Sequence, residues 1–390
     1  MRILVFTSLF PNSKRPDFGI FIFQRISHLA QRPGTTVHVV APVPYFPSWI
    51  PSSRWGKYGR LPYEERVENL NVYHPRYPLL PGLLMPLHGF LMFVGSLLLV
   101  RRLHRQFRFD CIDAHYVYPD GFAAVLLGKM LGLPVFVSAR GTDINVFPKF
   151  RSIRPLIIWS LRKAAGIIAV SSALKNAMVD LGLPAGKIRV IPNGVDTIRF
   201  HPIPQQEARQ NLGLPLNAKV IVSVASLTEG KNHALLISAF AKILRDFPDA
   251  KLFLIGEGLE RTALQEQIGK LRLDENVTLI GAKPNQELAS WFSAADVSCL
   301  VSSREGWPNV IMESIACGTP VVATRVGGVP EIIHSPKLGM LVEQDCDSIA
   351  AALKSVLAKT WDRETLALHA RTRGWTEVAS EVKQYLSSNG

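Results

Sequence analysis

Cysteine is scarce in this 390-residue sequence. The four cysteines, Cys111, Cys299, Cys317 and Cys346, are scattered and form no C-x-x-C pair. Their spacing excludes a disulfide framework and the usual zinc motifs, and it is typical of a protein kept in a reducing cytosol. We therefore expect neither a structural metal nor a catalytic one.

The sequence also lacks low-complexity tracts and internal repeats. With 47% hydrophobic and 19% charged residues it is typical of a globular protein, and its length favours two domains over one core. The N-terminal stretch MRILVFTSLFP has one basic residue and a short apolar run, with no small-residue cleavage site. It predicts a first β-strand rather than a signal peptide.

Acidic residues are few in the first half. Residues 1–200 have 25 Lys and Arg against 10 Asp and Glu, a net charge of +15, whereas residues 201–390 have 19 against 21, a net charge of −2. The excess positive charge predicts an anionic surface or ligand for the first half. Because no recognisable nucleic-acid motif or aromatic stacking array accompanies it, we expect no nucleic-acid partner.

One segment, residues 79–100, has the length of a membrane span but is interrupted by prolines, glycines and a histidine. Two interpretations stay open. It is either a buried helix of the first domain, or a helix that docks in the membrane interface with Arg101, Arg102, Arg105 and Arg108 on anionic headgroups. A true span is disfavoured.

Short β-branched runs alternate with helical stretches along the whole chain, from ILVFTSL to PVVATRVGG. This alternation predicts an α/β fold with two doubly wound parallel-sheet domains. The Pro-containing stretch at residues 191–204 is the predicted linker. We predict domains at residues 1–200 and 201–365, with the C-terminal helix, residues 366–390, packing back on the first, and a ligand cleft between them.

The stretch REGWPNVIMES, residues 304–314, has two glutamates eight residues apart. Gly306 and Pro308 make one uninterrupted helix improbable, because proline lacks the N–H donor and restrains the residue before it. We predict a loop with Glu305, then a helix from Pro308 or Asn309 with Glu313 one turn inside. A helix N-terminus of this kind attracts anions.

Two other patterns resemble ligand motifs. Asp345 and Asp347 form the D-x-D of some metal sites, but an alanine-rich helix follows, so Asp347 is predicted to be its N-cap. GEGLER, residues 256–261, lacks the third glycine of the dinucleotide fingerprint and disfavours an NAD enzyme.

The stretch VSSREGWPNVIMESIACGTPVVATRVGGVPEII, residues 301–333, resembles the signature of the family 4 glycosyltransferases. Other segments that resemble family motifs occur in the order expected for the family, namely IPNGVD, SLTEGKNHALLISAF, LIGEG and RGWTEVA. PDFGIFIFQR, HYVYPDG and RGTDIN are similar to the subgroup related to teichuronic acid and exopolysaccharide assembly. The resemblance implies the GT-B fold, with two facing Rossmann-like domains, and retaining transfer from a nucleotide sugar.

The resemblance implies that the C-terminal domain binds the donor. Glu305 would lie by the sugar, Glu313 would hold the ribose hydroxyls and Lys231 would stabilise the leaving diphosphate. Many members have an arginine where this chain has Ser226, so Arg140 or Arg304 would have to compensate, or backbone N–H groups would hold the phosphate. The other donor-side residues expected are Gly306, Trp307, Pro308, Asn309, Val310, Gly256 and Lys283.

On the acceptor side, the resemblance places His115 near the reacting centre and Arg140 and Asp143 after the next strand. Gly19 is the expected close-approach glycine of the first strand–helix loop, and Asn193 begins the linker. These roles predict an acceptor-binding N-terminal domain.

The expected activity is transfer of a hexosyl or N-acetylhexosaminyl group to a glycan or polyprenyl-diphosphate-linked acceptor in bacterial cell-envelope polysaccharide assembly. A UDP-sugar is expected before GDP-mannose, with no other cofactor. A nucleotide-sugar 2-epimerase and a catalytically silent, membrane-attached subunit remain alternatives. The expected location is the cytoplasm, peripheral on the inner face of the cytoplasmic membrane.

Overall fold

A computed structural model of the chain describes residues 1–45, 61–78 and 85–388. It divides into two compact units, one formed by Met1–Asn193 with Trp375–Gly390 and the other by Gly194–Gly374. The division at residue 193/194 lies within the predicted linker, seven residues before the predicted boundary. The divisions at 193/194 and 374/375 replace those predicted at 200/201 and 365/366.

The first unit contains an eight-stranded sheet and a separate two-stranded one. The large sheet has the order β10-β9-β8-β7-β1-β2-β5-β4, parallel except for the β4–β5 pair, and β3 pairs with β6. The strands of these two sheets are β1 Arg2–Phe6, β2 Thr36–Val40, β3 Val43–Tyr45, β4 Glu64–Val67, β5 Leu70–Tyr73, β6 Arg76–Pro78, β7 Cys111–His115, β8 Val135–Ala139, β9 Gly166–Ala169 and β10 Ile188–Val190. The central strands are buried because helices cover the parallel sheet.

The helices of the first 193 residues connect these strands. They are α1 Ile20–Ala30, α2 His88–Phe107, α3 Phe122–Leu131, α4 Thr142–Asn145, α5 Arg154–Lys163 and α6 Ser172–Asp180. Ser171 is the N-cap of α6, and its side chain accepts a hydrogen bond from the Leu174 N–H. Several helices or helical turns follow directly on the carboxyl ends of strands, so loops collect at one edge of the sheet.

The second unit is a six-stranded parallel sheet with the order β13-β12-β11-β14-β15-β16. Its strands are β11 Val220–Val224, β12 Lys251–Ile255, β13 Val277–Gly281, β14 Val297–Leu300, β15 Val321–Thr324 and β16 Gly339–Val342. Its helices are α7 Gln205–Leu212, α8 His233–Ile243, α9 Arg261–Lys270, α10 Leu288–Ala294, α11 Asn309–Ala316, α12 Val329–Ile332, α13 Cys346–Ala358 and α14 Arg363–Arg371.

The final helix, α15 Trp375–Ser388, belongs to the first unit. Trp375, Val378 and Val382 are buried in the core that contains Phe136 and Ile168. The preceding α14 stays in the second unit because Leu366 and Ala370 are buried in that unit's core. The chain therefore returns to the first unit at residue 375, not at residue 366 as predicted.

The N-cap of α13 also differs from the prediction. Asp345 is the capping residue, and its carboxylate accepts a hydrogen bond from the Ser348 N–H at 2.8 Å. Asp347 lies in the first turn and pairs with Lys242. The reason is spacing, because the capping oxygen must reach the N–H three residues ahead. Among the described residues there is no group of three His, Cys, Asp or Glu residues arranged to hold a metal ion.

Most of the apolar segment discussed above forms α2, preceded by a helical turn at Met85–Leu87, while residues 79–84 lie outside the described residues. Five residues of α2 are buried: Gly89, Met92, Ser96, Val100 and Leu103. In the described part of the chain one helix, Met85–Phe107, has the length and apolar composition of a membrane span, with a third of its apolar window buried.

Candidate active site

Two of the predicted donor-side residues in the second unit, Lys231 and Glu305, come together where β11 and β14 end. These strands are neighbours in the sheet although they are not consecutive in sequence, which makes this the point where the strand order reverses. Open parallel sheets bind ligands at such a point, outside the carboxyl ends of the strands. Lys231 follows β11 in a helical turn at Glu229–Lys231, and Glu305 follows β14 in a loop.

Lys231 and Glu305 form an ion pair. The Lys231 Nζ donates to Glu305 Oε1 at 2.6 Å, and the side chains are 27% and 10% exposed. The pair is thus shielded enough for its charges to interact strongly, yet it stays open to a ligand. A cation next to a carboxylate at this edge can meet both the phosphates and the hydroxyls of one substrate.

Backbone contacts fix the two loops that hold this pair. The Ser303 N–H donates to the Gly230 carbonyl at 2.9 Å, and the Asn232 side-chain amide donates to the Val301 carbonyl at 3.1 Å. Gly327 lies directly against the backbone of Glu305, at φ 51°, where a Cβ would clash with the Glu305 carbonyl oxygen. The sequence did not predict this role for Gly327, which lies within the stretch of residues 301–333.

The helix predicted after Glu305 is present. Helix α11 begins at Asn309, with Pro308 as an N-cap that offers no side-chain hydrogen bond. Pro308 supplies no capping side chain to the first turn, in which the Ile311 N–H donates to the Pro308 carbonyl at 3.1 Å. The N-terminus of such a helix attracts anions. Glu305 lies in the loop and Glu313 lies one turn inside the helix, which confirms the predicted loop–helix arrangement.

Glu313 is a half-buried carboxyl group. Burial raises its pKa to about 7, Arg199 opposes this rise and Asp196 adds to it. Arg199 also donates to the Asn285 side chain at 2.7 Å. Asp196 and Arg199 belong to the predicted linker, and their position near Glu313 was not expected from the sequence.

The remaining donor-side residues spread along the same edge. Ser226 follows β11, is exposed and lies 3.4 Å from Thr228 through their hydroxyl oxygens. Gly256 follows β12 and packs against the Ala225 carbonyl, where a Cβ would clash. Lys283 follows β13, two strands from β11, and pairs with Glu287 at 3.4 Å. Lys283 is therefore not brought into contact with the Lys231–Glu305 pair.

The residues around Glu305 divide between surface and core. Arg304 is exposed, and its guanidinium lies near Gly230, the residue before Lys231. Trp307 and Val310 are partly buried and pack against the core. Gly306 lies in the loop before α11, between the Glu305 loop position and the partly buried Trp307.

In the first unit, four of the predicted acceptor-side residues meet at the ends of β7 and β8, namely His115, Arg140, Asp143 and Asn193. The His115 ring is fully buried, its Nε2 lies 3.3 Å from Asp113 Oδ2, and its Nδ1 contacts the Arg140 guanidinium. Arg140 also donates to the Asn193 side-chain oxygen at 3.0 Å. Both ring nitrogens of His115 are therefore engaged within the protein.

Asp113 is a partner that sequence reasoning missed. It forms a buried ion pair with Arg25 of α1 at 3.1 Å, and Arg25 also donates to the Ser138 hydroxyl at 2.9 Å. Burial alone would raise the pKa of Asp113, but Arg25 and His115 lower it to about 2. Burial, together with Arg140 and Arg25, lowers the pKa of His115 to about 3, so its ring is neutral. An aspartate inside the buried strand FDCIDAH was the signal available in the sequence.

Asp143 and Gly19 both contact the backbone of neighbouring loops. Asp143 is fully buried and accepts the backbone N–H groups of Val117, Arg140 and Gly141 at 2.8–3.2 Å, which ties two loops together. Gly19, at φ 70°, lies against the backbone of Leu9, where a Cβ would clash. The close approach expected at Gly19 is therefore made to its own strand–helix loop.

A second missed carboxyl group lies at the same edge. Asp120 follows β7 in the YPDG turn, is fully buried, and accepts the Ser8 N–H from the loop after β1. Burial raises its pKa to about 7, and the Ser8 N–H partly offsets this. Asp120 thus links the loops after β1 and β7, the two strands at which the order of this sheet reverses.

Comparison with known proteins matches both halves of the chain to family models. "Glycosyltransferase Family 4" matches residues 19–199, and "Glycosyl transferases group 1" matches residues 204–373. The chain is 28% identical to the putative teichuronic acid biosynthesis glycosyltransferase TuaC of Bacillus subtilis, over 90% of this chain and 88% of that protein. It is 32% identical to the D-inositol 3-phosphate glycosyltransferase of Thermobispora bispora, over 75% of this chain and 73% of that protein.

Among solved structures, the chain is similar to Anabaena HepE in complex with UDP-glucose. The TM-score is 0.74 with 21% sequence identity, over 99% of each chain.

Proposed function

The chain belongs to the family 4 glycosyltransferases and has the GT-B fold, and on this premise we propose that it transfers a sugar, with retention of configuration, from a nucleotide-sugar donor to an acceptor hydroxyl. The observation that supports the donor site is the Lys231–Glu305 ion pair at 2.6 Å, beside the N-terminus of α11. A nucleotide sugar has a diphosphate between a sugar and a ribose. This site offers charge of both signs on two adjacent loops, those that follow β11 and β14.

In the proposed mechanism Lys231 and the first-turn N–H groups of α11 bind the diphosphate. Negative charge grows there as the sugar leaves, so these groups stabilise the transition state more than the ground state. Glu305 orients the sugar hydroxyls and Glu313 holds the ribose hydroxyls. We assign no protein nucleophile, since the leaving diphosphate can assist the incoming hydroxyl on the same face.

The first unit is proposed to bind the acceptor at the ends of β7 and β8. His115 is neutral and hydrogen bonded through both ring nitrogens, so it fits a positioning role better than proton transfer. Arg140 is the charged group on this side, and burial together with Arg25 lowers its pKa to about 9. It is therefore still a cation at neutral pH and suits an anionic acceptor.

For the donor we propose a UDP-sugar before GDP-mannose, carrying a hexosyl or N-acetylhexosaminyl group, with no metal ion required. The UDP-glucose in the complex with the similar HepE structure supports a uridine nucleotide. The likeness to TuaC supports cell-surface polysaccharide assembly, with a glycan or polyprenyl-diphosphate-linked acceptor at the inner face of the cytoplasmic membrane. The positive charge of the first half suits that location.

The experiment is a screen of donor binding and slow donor hydrolysis against UDP- and GDP-sugars in EDTA. Lys231→Ala and Glu313→Ala should each lose binding of the donor that the wild-type protein selects. Lys270→Ala and Glu266→Ala are the matched controls, because both side chains are exposed on α9. These controls should bind like the wild-type protein.

Other outcomes would redirect the proposal. Binding to no nucleotide sugar would contradict it and favour the silent-subunit alternative, with Ser226 as its cause. Interconversion of UDP-N-acetylhexosamine epimers without an acceptor would favour the epimerase alternative. Binding that requires a divalent cation would contradict metal independence.

A further inference from the structure

Helix α2 presents one continuous stripe to the outside of the first unit. Its apolar part consists of Leu87, in the turn that precedes the helix, and Phe90, Val94 and Leu98, which are 44%, 49%, 50% and 80% exposed. These positions are three or four residues apart, so they follow one face of the helix. At about 1.5 Å per residue they cover about 17 Å of its length. Large apolar side chains in such a row are unusual on a surface that only water touches.

Basic side chains continue the same stripe. Arg101 and Arg105 follow Leu98 at spacings of three and four residues, and both are exposed. Arg102 and Arg108 are exposed beside them, and the sequence HGFLMFVGSLLLVRRLHRQF contains no acidic residue. In the described part of the chain none of these four arginines forms an ion pair with a carboxylate. The stripe is therefore apolar over its first turns and cationic over its last.

The opposite face of α2 is packed tightly into the unit. Met92 and Val100 are fully buried, and Cβ atoms at Gly89 and Gly95 would come too close to the Phe122 ring and to the Arg76–Tyr77 backbone. Crossing a bilayer would require removing this face from the core and exposing it. The helix is held in place, and its stripe stays on the outside.

We propose that this stripe docks α2 flat in the interface of an anionic lipid bilayer. The four apolar side chains would enter the acyl boundary, and the arginines would bind headgroup phosphates. The arrangement of charge favours this occupant over a second copy of the chain. Two such stripes meeting about a twofold axis would give each other no carboxylate for the arginines, whereas a bilayer with anionic headgroups supplies both an apolar layer and negative charge.

This inference is independent of sugar transfer and is tested by co-sedimentation of the full chain with vesicles. The probes are vesicles of phosphatidylcholine alone and of phosphatidylcholine with on the order of 30 mol % phosphatidylglycerol. The wild-type protein should bind the anionic vesicles, and binding should weaken as salt is raised from about 0.05 M to 0.5 M. Far-ultraviolet circular dichroism and thermal unfolding, measured in parallel without vesicles, report whether each variant is folded.

Two matched pairs of variants locate the surface. Leu98→Glu should lower partition into anionic vesicles by about tenfold or more, whereas Leu368→Glu, at an exposed leucine of α14, should not. The double variant Arg101→Gln/Arg105→Gln should lower it by a similar factor and flatten the salt dependence. Arg245→Gln/Arg371→Gln, at exposed arginines of the second unit, should leave binding unchanged.

Several results would overturn the proposal. These are absence of binding to either vesicle, equal loss in Leu98→Glu and Leu368→Glu, or binding by Leu98→Glu that matches the wild-type protein. A wild-type dimer in solution that Leu98→Glu converts to a monomer would assign the stripe to a second copy of the chain instead.

Discussion

Glu313 is a carboxyl group placed where its ionisation is costly. Burial raises its pKa to about 7, and the nearby Asp196 adds to the rise despite Arg199. In an unfolded chain a glutamate ionises at a pKa of about 4.3. The folded second unit therefore keeps a proton on Glu313, over a range of pH in which the unfolded chain has already lost it.

The stability of the second unit should consequently fall as pH rises from about 4.5 to 7, because the unfolded state binds fewer protons in that window. Glu313→Gln should reduce this fall over the same window, and Glu266→Gln should not. The measurement is urea unfolding at each pH, monitored through the hydrogen exchange of peptides from the second unit. Equal pH slopes for wild type and Glu313→Gln would contradict the prediction.

Gly327 is the residue on which the position of Glu305 depends. Its φ of 51° lies in the left-handed region, and its Cα faces the Glu305 carbonyl. Gly327→Ala should weaken nucleotide-sugar binding by about tenfold or more, because the new methyl group must displace the Glu305 loop.

The control for Gly327 is its neighbour Gly328, which has an ordinary φ of −79°. Gly328→Ala should weaken binding less than Gly327→Ala. Equal effects of the two variants in a binding titration would contradict this role for Gly327.

At the scale of elements, α1 and β7 are joined by charge as well as by apolar packing. Arg25 of α1 reaches the fully buried Asp113 of β7, and Asp113 in turn holds His115 at the strand end. A buried ion pair of this kind adds little net stability, but losing one partner leaves an unpaired charge in the core.

Arg25→Met should therefore lower the free energy of unfolding of the first unit by about 3–5 kcal/mol. Adding Asp113→Asn should recover part of this loss, because the amide is neutral and can still accept from His115. Exposed Arg151→Met should change stability by less than about 0.5 kcal/mol. Hydrogen exchange of peptides from β7 measures all three, and a double variant less stable than Arg25→Met would contradict the charge argument.

At the scale of the whole molecule, the chain order and the division into units do not coincide. Helix α15 follows the second unit in sequence but completes the core of the first, through Trp375, Val378, Val382 and Leu386. The first unit thus depends on α15, and it cannot complete this core until that helix is available.

Trp375→Ala should lower the free energy of unfolding of the first unit by about 3–5 kcal/mol, since it leaves a cavity in that core. The exposed Gln384→Ala on the same helix should have an effect of less than about 0.5 kcal/mol. Hydrogen exchange should increase in peptides of β8 and β9 and stay unchanged in β11–β16. Increased exchange in the second unit instead would assign α15 to that unit.

Much of this architecture could be predicted from the sequence. The strands formed by the β-branched runs and the loop–helix transition at Pro308 were predicted, because apolar periodicity and proline act over a few residues. Strands β4 and β5 were missed, since exposed polar side chains interrupt their apolar pattern. Strand β16 was missed because it is short and begins with Gly339.

The sequence by itself determined the α/β class, the two parallel sheets and the motif that places Glu305 and Glu313 around the start of α11. These depend on local preferences and on spacing along the chain. Only the tertiary structure decided that Lys231 meets Glu305, that Asp113 pairs with Arg25, and that α15 joins the first unit. Each of these contacts joins residues at least 74 positions apart, and strand order, which local sequence does not encode, brings them together.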